Sequence, residues 1–385
     1  MTRQRVIEVG QTPTILVRHV GGNLAMQGWD RAELAIGDAE QETVRITHEG
    51  DAVTIEADGD CTLQAPVEAL VRVEEVGGDA AFGGVMGELM VQAVDGDVTV
   101  RNSGAVTLAH VGGDLELSQA HGVCTVRHVA GDMEARSIHG ALTIERCDGD
   151  LELEQVHGEC SVQHAAGDME AREILGGFSA LTVEGDAEVD RIHGRCLLRH
   201  VAGDVDATSI MGSLRIERTG GDVDAARIHG DCNLEAVGGD ATLEEIMGAL
   251  TTQTVGGDLN LKRVHGPVQV EVVEGDGRAT HLLGKVAVQR VSGDFGGRHI
   301  FGDMTLAKVE GDLRIEQAQA AVRVGQVAGD LTLAHVRGAI EAQAAGDAAV
   351  ELSLTPGQQV RVAAGGDLVC RVPENANARF ELQSG

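Results

Sequence analysis

Tyrosine is absent from this 385-residue chain, tryptophan occurs once and phenylalanine five times, which excludes a core built on aromatic side chains. Lysine is confined to positions 262, 285 and 308, and the formal net charge is −31. A surface this acidic lacks the cationic patches that phosphate backbones require, so nucleic acid is excluded as a partner. Five prolines are too few for a Pro-rich linker or a collagen-like chain. No apolar run approaches the roughly 20 residues of a membrane-spanning helix, so no membrane insertion is expected. The opening stretch MTRQRVIEVGQTPTILVRHV also lacks the apolar segment of a signal peptide. Cysteines number seven, an odd count, and no CxxC spacing occurs. Reduced thiols and a cytoplasmic location follow as expectations.

Glycine, by contrast, is abundant at 53 residues, and its placement is periodic. Gly-Asp pairs recur from Gly78 to Gly346 in fifteen steps, thirteen of eighteen residues and two of seventeen. A second glycine falls nine residues after most of them, as at Gly122, Gly140 and Gly158. The unit is therefore nine residues long and used in pairs: GDLELSQAH then GVCTVRHVA, GDMEARSIH then GALTIERCD. Places three, five and eight of each unit are apolar and the others mostly polar. Two-residue alternation of Val, Leu, Ile and Ala marks a strand. The glycine marks the turn, where a positive φ is expected. No unit offers the apolar spacing of three and four that a helix needs.

Short strands at fixed spacing, each with too little apolar surface to stand alone, predict a solenoid. The predicted fold is all-β: a single-stranded parallel β-solenoid (β-helix) with eighteen-residue coils, each made of two nine-residue units. Residues 71–346 form about fifteen regular coils. Residues 1–70 and 347–385 lack clean registration and are predicted as β caps, since bare coil ends would pair with other chains. The ending QSG, midway through a strand-like run, suggests a truncated C-terminus.

A thirty-six-residue period overlies the eighteen. HGVC, HGEC, HGRC and HGDC begin at 121, 157, 193 and 229. Cys124, Cys160, Cys196 and Cys232 occupy place three, which elsewhere holds Leu142, Phe178, Leu214 and Leu250, so these cysteines are expected to fill the core as small hydrophobes. Place nine reads His121, His139, His157, Leu175, His193, Met211, His229, Met247, His265, Leu283 and Phe301. Exchange of histidine with Met, Leu and Phe predicts a partly buried ledge. Only His121, His139 and His157 fall on consecutive coils, which makes them the candidate ligands for zinc or nickel. No cofactor is expected.

Two acidic columns run through the repeat. Asp114, Asp132, Asp150, Asp168, Asp186, Asp204 and Asp222 follow the glycine, where an Asp side chain can accept from backbone N–H groups and fix the corner. The order GD, without the GxG of calcium-binding nonapeptide rolls, argues against calcium bound in that manner. Place four carries Glu116, Glu134, Glu152, Glu170, Glu188, Asp206 and Asp224 on the outward side. Place seven of the other unit carries His128, Arg146, His164, His200 and Arg218, so the two sides differ chemically. The acidic stripe is either a solvated face that resists lateral aggregation or a docking face for a basic protein partner or divalent cations. No GxSxG, Walker loop, HExxH or dinucleotide fingerprint appears in a suitable context, and uniform coils leave no room for the long loops that build a cleft. The protein is expected not to be an enzyme.

The phrases VEGDLRIEQ, VGGDLNLKRVHG and VDGDVTVRNSG give a rhythm that resembles the bacterial adhesin family of β-strand-repeat proteins, over roughly residues 70–350. RHVGGNLAMQGWD and CTLQAPVEALVRVEEVGGDA resemble that family's opening segments. The resemblance implies a scaffold with a role in surface adhesion, with no catalytic residue to carry over. A looser likeness is to bactofilins, which implies end-to-end self-assembly.

Overall fold

The structure is a computed structural model that describes residues 5–38, 44–353 and 358–372. All regular elements among them are strands. They fall into two compact units, Met1–Arg195 and Cys196–Gly385. Each is a parallel β-solenoid with roughly eighteen residues per coil. Among the described residues no helix is long and apolar enough to cross a membrane.

One coil of the N-terminal unit shows the design. Its Gly-Asp half forms Leu115–Ala120 and its other half Cys124–Val129. Leu115, Leu117 and Ala120 point inward, as do Cys124, Val126 and Val129. Each place meets the same place eighteen residues on: Leu115 pairs with Met133, and Leu151 with Met169. The C-terminal unit repeats the scheme, with Cys232 in register with Leu250 and Leu250 with Val268. Burial at places three, five and eight follows the apolar pattern of the sequence.

Strict alternation would turn place eight outward, and the backbone supplies the missing half-step. In the Gly-Asp halves place seven adopts φ between +53° and +59° in fourteen coils, from Asn102 and Gln119 to His335. The ladder skips that residue: Arg136 pairs with Glu154, and then Ile138 pairs with Val156. In the other halves the ladder skips place six instead, running from Leu108↔Val126 to His110↔His128. Either bulge returns place eight to the core.

The repeat glycines were expected to supply the positive φ, and here the structure differs. Among the described glycines only Gly50 and Gly84 have it. Most of the others are required by stacking. A Cβ on Gly149 would stand 2.2 Å from Asp132 Oδ1, and one on Gly158 2.5 Å from the Gly140 carbonyl oxygen. The corners of successive coils lie backbone on backbone, with Gly149 N–H donating to the Gly131 carbonyl at 3.1 Å.

The first coils do not stack in chain order. The N-terminal strands are β1 (Arg5–Glu8), β2 (Thr14–Val20), β3 (Leu24–Trp29), β4 (Glu33–Asp38), β5 (Val44–Glu49), β6 (Ala52–Ala57), β7 (Cys61–Pro66), β8 (Leu70–Val76) and β9 (Ala80–Gly83). β2 lies between β6 and β8, and β3 between β7 and β9, all parallel. β4 pairs antiparallel with β7, β1 with β4, and β5 with β6. Antiparallel strands thus cover the outermost parallel coil, which blunts an edge that would otherwise recruit other chains. At the other end, the described residues beyond 347 continue the coil: Val360–Ala364 pairs in parallel with Ile340–Ala344, and Leu368–Arg371 with Ala348–Leu352. The part of the expected C-terminal cap at 373–385 lies outside the described residues.

Candidate functional site

The Gly-Asp corner is a hydrogen-bonded ladder. Asp132 N–H donates to Asp114 Oδ1 at 2.9 Å, Asp150 N–H to Asp132 Oδ1 at 2.8 Å, and Asp168 and Asp186 continue in the same way. In the C-terminal unit Asp222 N–H donates to Asp204 Oδ1 at 2.8 Å, and Asp240 N–H to Asp222 Oδ1 at 2.7 Å. One carboxylate oxygen of each rung therefore holds the next coil.

Two places further on, Glu116, Glu134, Glu152, Glu170 and Glu188 stand in register on successive strands of the N-terminal unit. Asp206 and Asp224 form an in-register pair in the C-terminal unit. The Glu row is not a bare acidic stripe. Arg101 Nη2 lies 2.7 Å from both carboxylate oxygens of Glu116. Arg136 reaches Glu134 at 2.7 Å, Glu152 at 2.9 Å and Glu154 at 3.3 Å. Arg172 pairs with Glu170 and, at 2.8 Å, with Glu188. These arginines occupy place six, outward like place four, so the pairing was visible in the spacing. The hydrogen bond that Arg136 donates to Glu152 holds its guanidinium above the ordinary value, and the one that Arg172 donates to Glu188 does the same there. Between the Asp and Glu rows runs an open groove of about 510 Å³, floored by Met133, Leu151 and Met169. Eight carboxylates line it, in two rows from Asp132 to Asp186 and from Glu134 to Glu188.

The place-nine row is exposed, not a half-buried ledge: Met211 and Met247 are each 52% accessible and Phe301 43%. Place nine lies outside the inward set and sits on the corner. His121 and His139 stack with ring centroids 4.9 Å apart, and His139 meets His157 edge-on at 4.7 Å. Among the described residues no group of three or more His, Cys, Asp or Glu is arranged to hold a metal ion. Cys124, Cys160, Cys196 and Cys232 are fully buried, in register with Leu or Phe on neighbouring strands. Burial pushes each of these thiols up to about 12, which keeps them protonated as small core hydrophobes.

The other sheet of the N-terminal unit carries a network that begins one coil before the column picked out in the sequence. His110 Nδ1 lies 2.9 Å from His128 Nδ1. His128 Nε2 lies 2.9 Å from Asp148 Oδ2, and Arg146 Nε 2.6 Å from Asp148 Oδ1. The hydrogen bond from His128 holds the Asp148 carboxyl below its ordinary value. His110 shares place seven with His128, and Asp148 is the place-nine residue of the next coil. Place-by-place alignment could have found both; reading the column from His128 onward missed them. His164 meets Glu184 at 3.5 Å and stays outside the cluster. In the C-terminal unit His200 and Arg218 pair in register.

By fold the protein is a parallel β-solenoid scaffold with charged ladders on its outward places. In comparisons with known proteins, the chain matches no family model, no curated protein and no solved structure.

Proposed function

We propose that this protein is a non-enzymatic scaffold whose N-terminal unit receives a basic segment of a protein partner along the paired carboxylate rows. The observation that carries this reading is the groove between Asp132–Asp186 and Glu134–Glu188, which eight carboxylates line while the guanidinium groups of Arg136 and Arg172 pair with its Glu row. Neighbouring rungs stand ~4.8 Å apart, a spacing at which like charges in water repel by about 1 kcal/mol. A cationic chain laid along the groove relieves that repulsion, and with it the binding becomes salt-dependent. Regular coils without long loops favour display over catalysis. Seven cysteines with no disulfide between them suit a reducing compartment.

The test is binding of an Arg/Lys-rich peptide to the full chain, followed by fluorescence anisotropy at low and high salt. Replacing Glu134, Glu152, Glu170 and Glu188 together with Gln is expected to weaken binding at least tenfold. An unchanged affinity would remove the groove from the reading. End-to-end self-assembly, as in bactofilins, is the second reading. It is favoured by the last described strand pair, where Leu368 is 40% and Val369 51% accessible on an edge that no described strand covers. Light scattering across protein concentration, with and without calcium, separates the two: a constant monomer mass argues against assembly, and growth only with calcium places the joint on carboxylates.

A further inference from the structure

We infer that His110 and His128 form a two-imidazole clip for a divalent transition metal that prefers tetragonal coordination, copper(II) or nickel(II). The two residues are direct ladder partners on adjacent parallel strands, so the backbone sets their separation before any metal arrives. Asp148 accepts at His128 Nε2, 2.9 Å away. A carboxylate acceptor fixes the ring proton on Nε2 and leaves Nδ1 as a lone pair, the arrangement that supports metal-bound histidines. That lone pair points at His110 Nδ1, 2.9 Å away in hydrogen-bond geometry. Two nitrogens converging in this way need a proton or a cation between them. Metal–nitrogen bonds of about 2.0–2.1 Å meeting at a right angle place their nitrogens ~2.9 Å apart, whereas a tetrahedral angle requires ~3.4 Å. The observed separation therefore fits the tetragonal ions better than zinc.

The surroundings suit this role. His110 is exposed and the His128 side chain is 31% accessible, so further positions on the ion remain open to water or a partner group. Arg146, the next residue in the column, has its charge matched by Asp148. The other histidine rows are built differently. His121/His139 and His281/His299 stack ring on ring, which sets faces rather than lone pairs against each other.

The test is titration of the full chain with copper(II), read by electron paramagnetic resonance and calorimetry. The first equivalent is expected to give a tetragonal signal with two equatorial nitrogens. His110→Gln and His128→Gln should each weaken that equivalent at least tenfold, and Asp148→Asn by about 10- to 100-fold. His139→Gln should leave it unchanged, and zinc should bind at least tenfold more weakly. Wild-type affinity in either clip variant, or loss of the site in His139→Gln, would overturn the inference. Should a variant misfold by circular dichroism, the wild-type histidine ring signals decide: sub-stoichiometric copper must broaden His110 and His128 first, and broadening that starts elsewhere refutes the clip.

Discussion

Thr252 fills place five of its strand, where its ladder partners are Leu234 and Val270, and it is fully buried with no partner for its hydroxyl. A buried hydroxyl without a hydrogen bond costs about 1–3 kcal/mol. Thr252→Val keeps the shape and removes the penalty, so the urea midpoint of the C-terminal unit should rise, by about 1 kcal/mol in stability. Gln119 poses a backbone question. It holds φ = +54°, a region that disfavours side chains branched at Cβ. Gln119→Val should destabilise by about 1–2 kcal/mol, while Gln119→Gly should be neutral or mildly stabilising. Equal melting temperatures for the two variants would show that the bulge is not fixed there.

At the scale of the element, stacking replaces conformational freedom as the reason for glycine. A Cβ at Gly149 would displace the Asp132 carboxylate that holds the Asp150 N–H, and would press on Gly131. Gly149→Ala is therefore expected to cost about 2–4 kcal/mol in thermal or chemical unfolding. Gly59 is the control, because nothing lies within 4 Å of an added Cβ and its φ is ordinary. Gly59→Ala should stay within ~0.5 kcal/mol. The strand halves themselves were legible: apolar residues at places three, five and eight are the residues buried. Which residue of each half makes the bulge was not, because Gln119, Ser137 and Arg227 share no side-chain property that marks a left-handed backbone.

Across the molecule, the cysteines report on core integrity. Six are buried and only Cys370 is exposed. A thiol reagent should titrate one group in the native protein and all seven after denaturation; more than one native equivalent would mean an open core. The same burial makes the fold sensitive to alkali. Cys160, Cys196 and Cys232 are held at about 12 against an ordinary 9.0, so the native state keeps protons that the unfolded chain releases. Their contribution to stability is complete below pH 9 and is lost as pH rises through about 12. Replacing all three with Val should flatten the decline of unfolding midpoint measured from pH 9 upward.

The period of the sequence determined the coil by itself: eighteen residues, two strands, one narrow aliphatic core and cysteines turned inward. That follows because a repeated apolar pattern has one way to be buried repeatedly, by stacking each place on itself. Pairings that depend on which side chain reaches which coil were settled only in three dimensions. Arg136 and Arg172 close over the Glu row, and β2 slips between β6 and β8 against chain order. His110 meets His128 while His121 only stacks on His139, a difference made by lone-pair direction, which spacing alone does not carry.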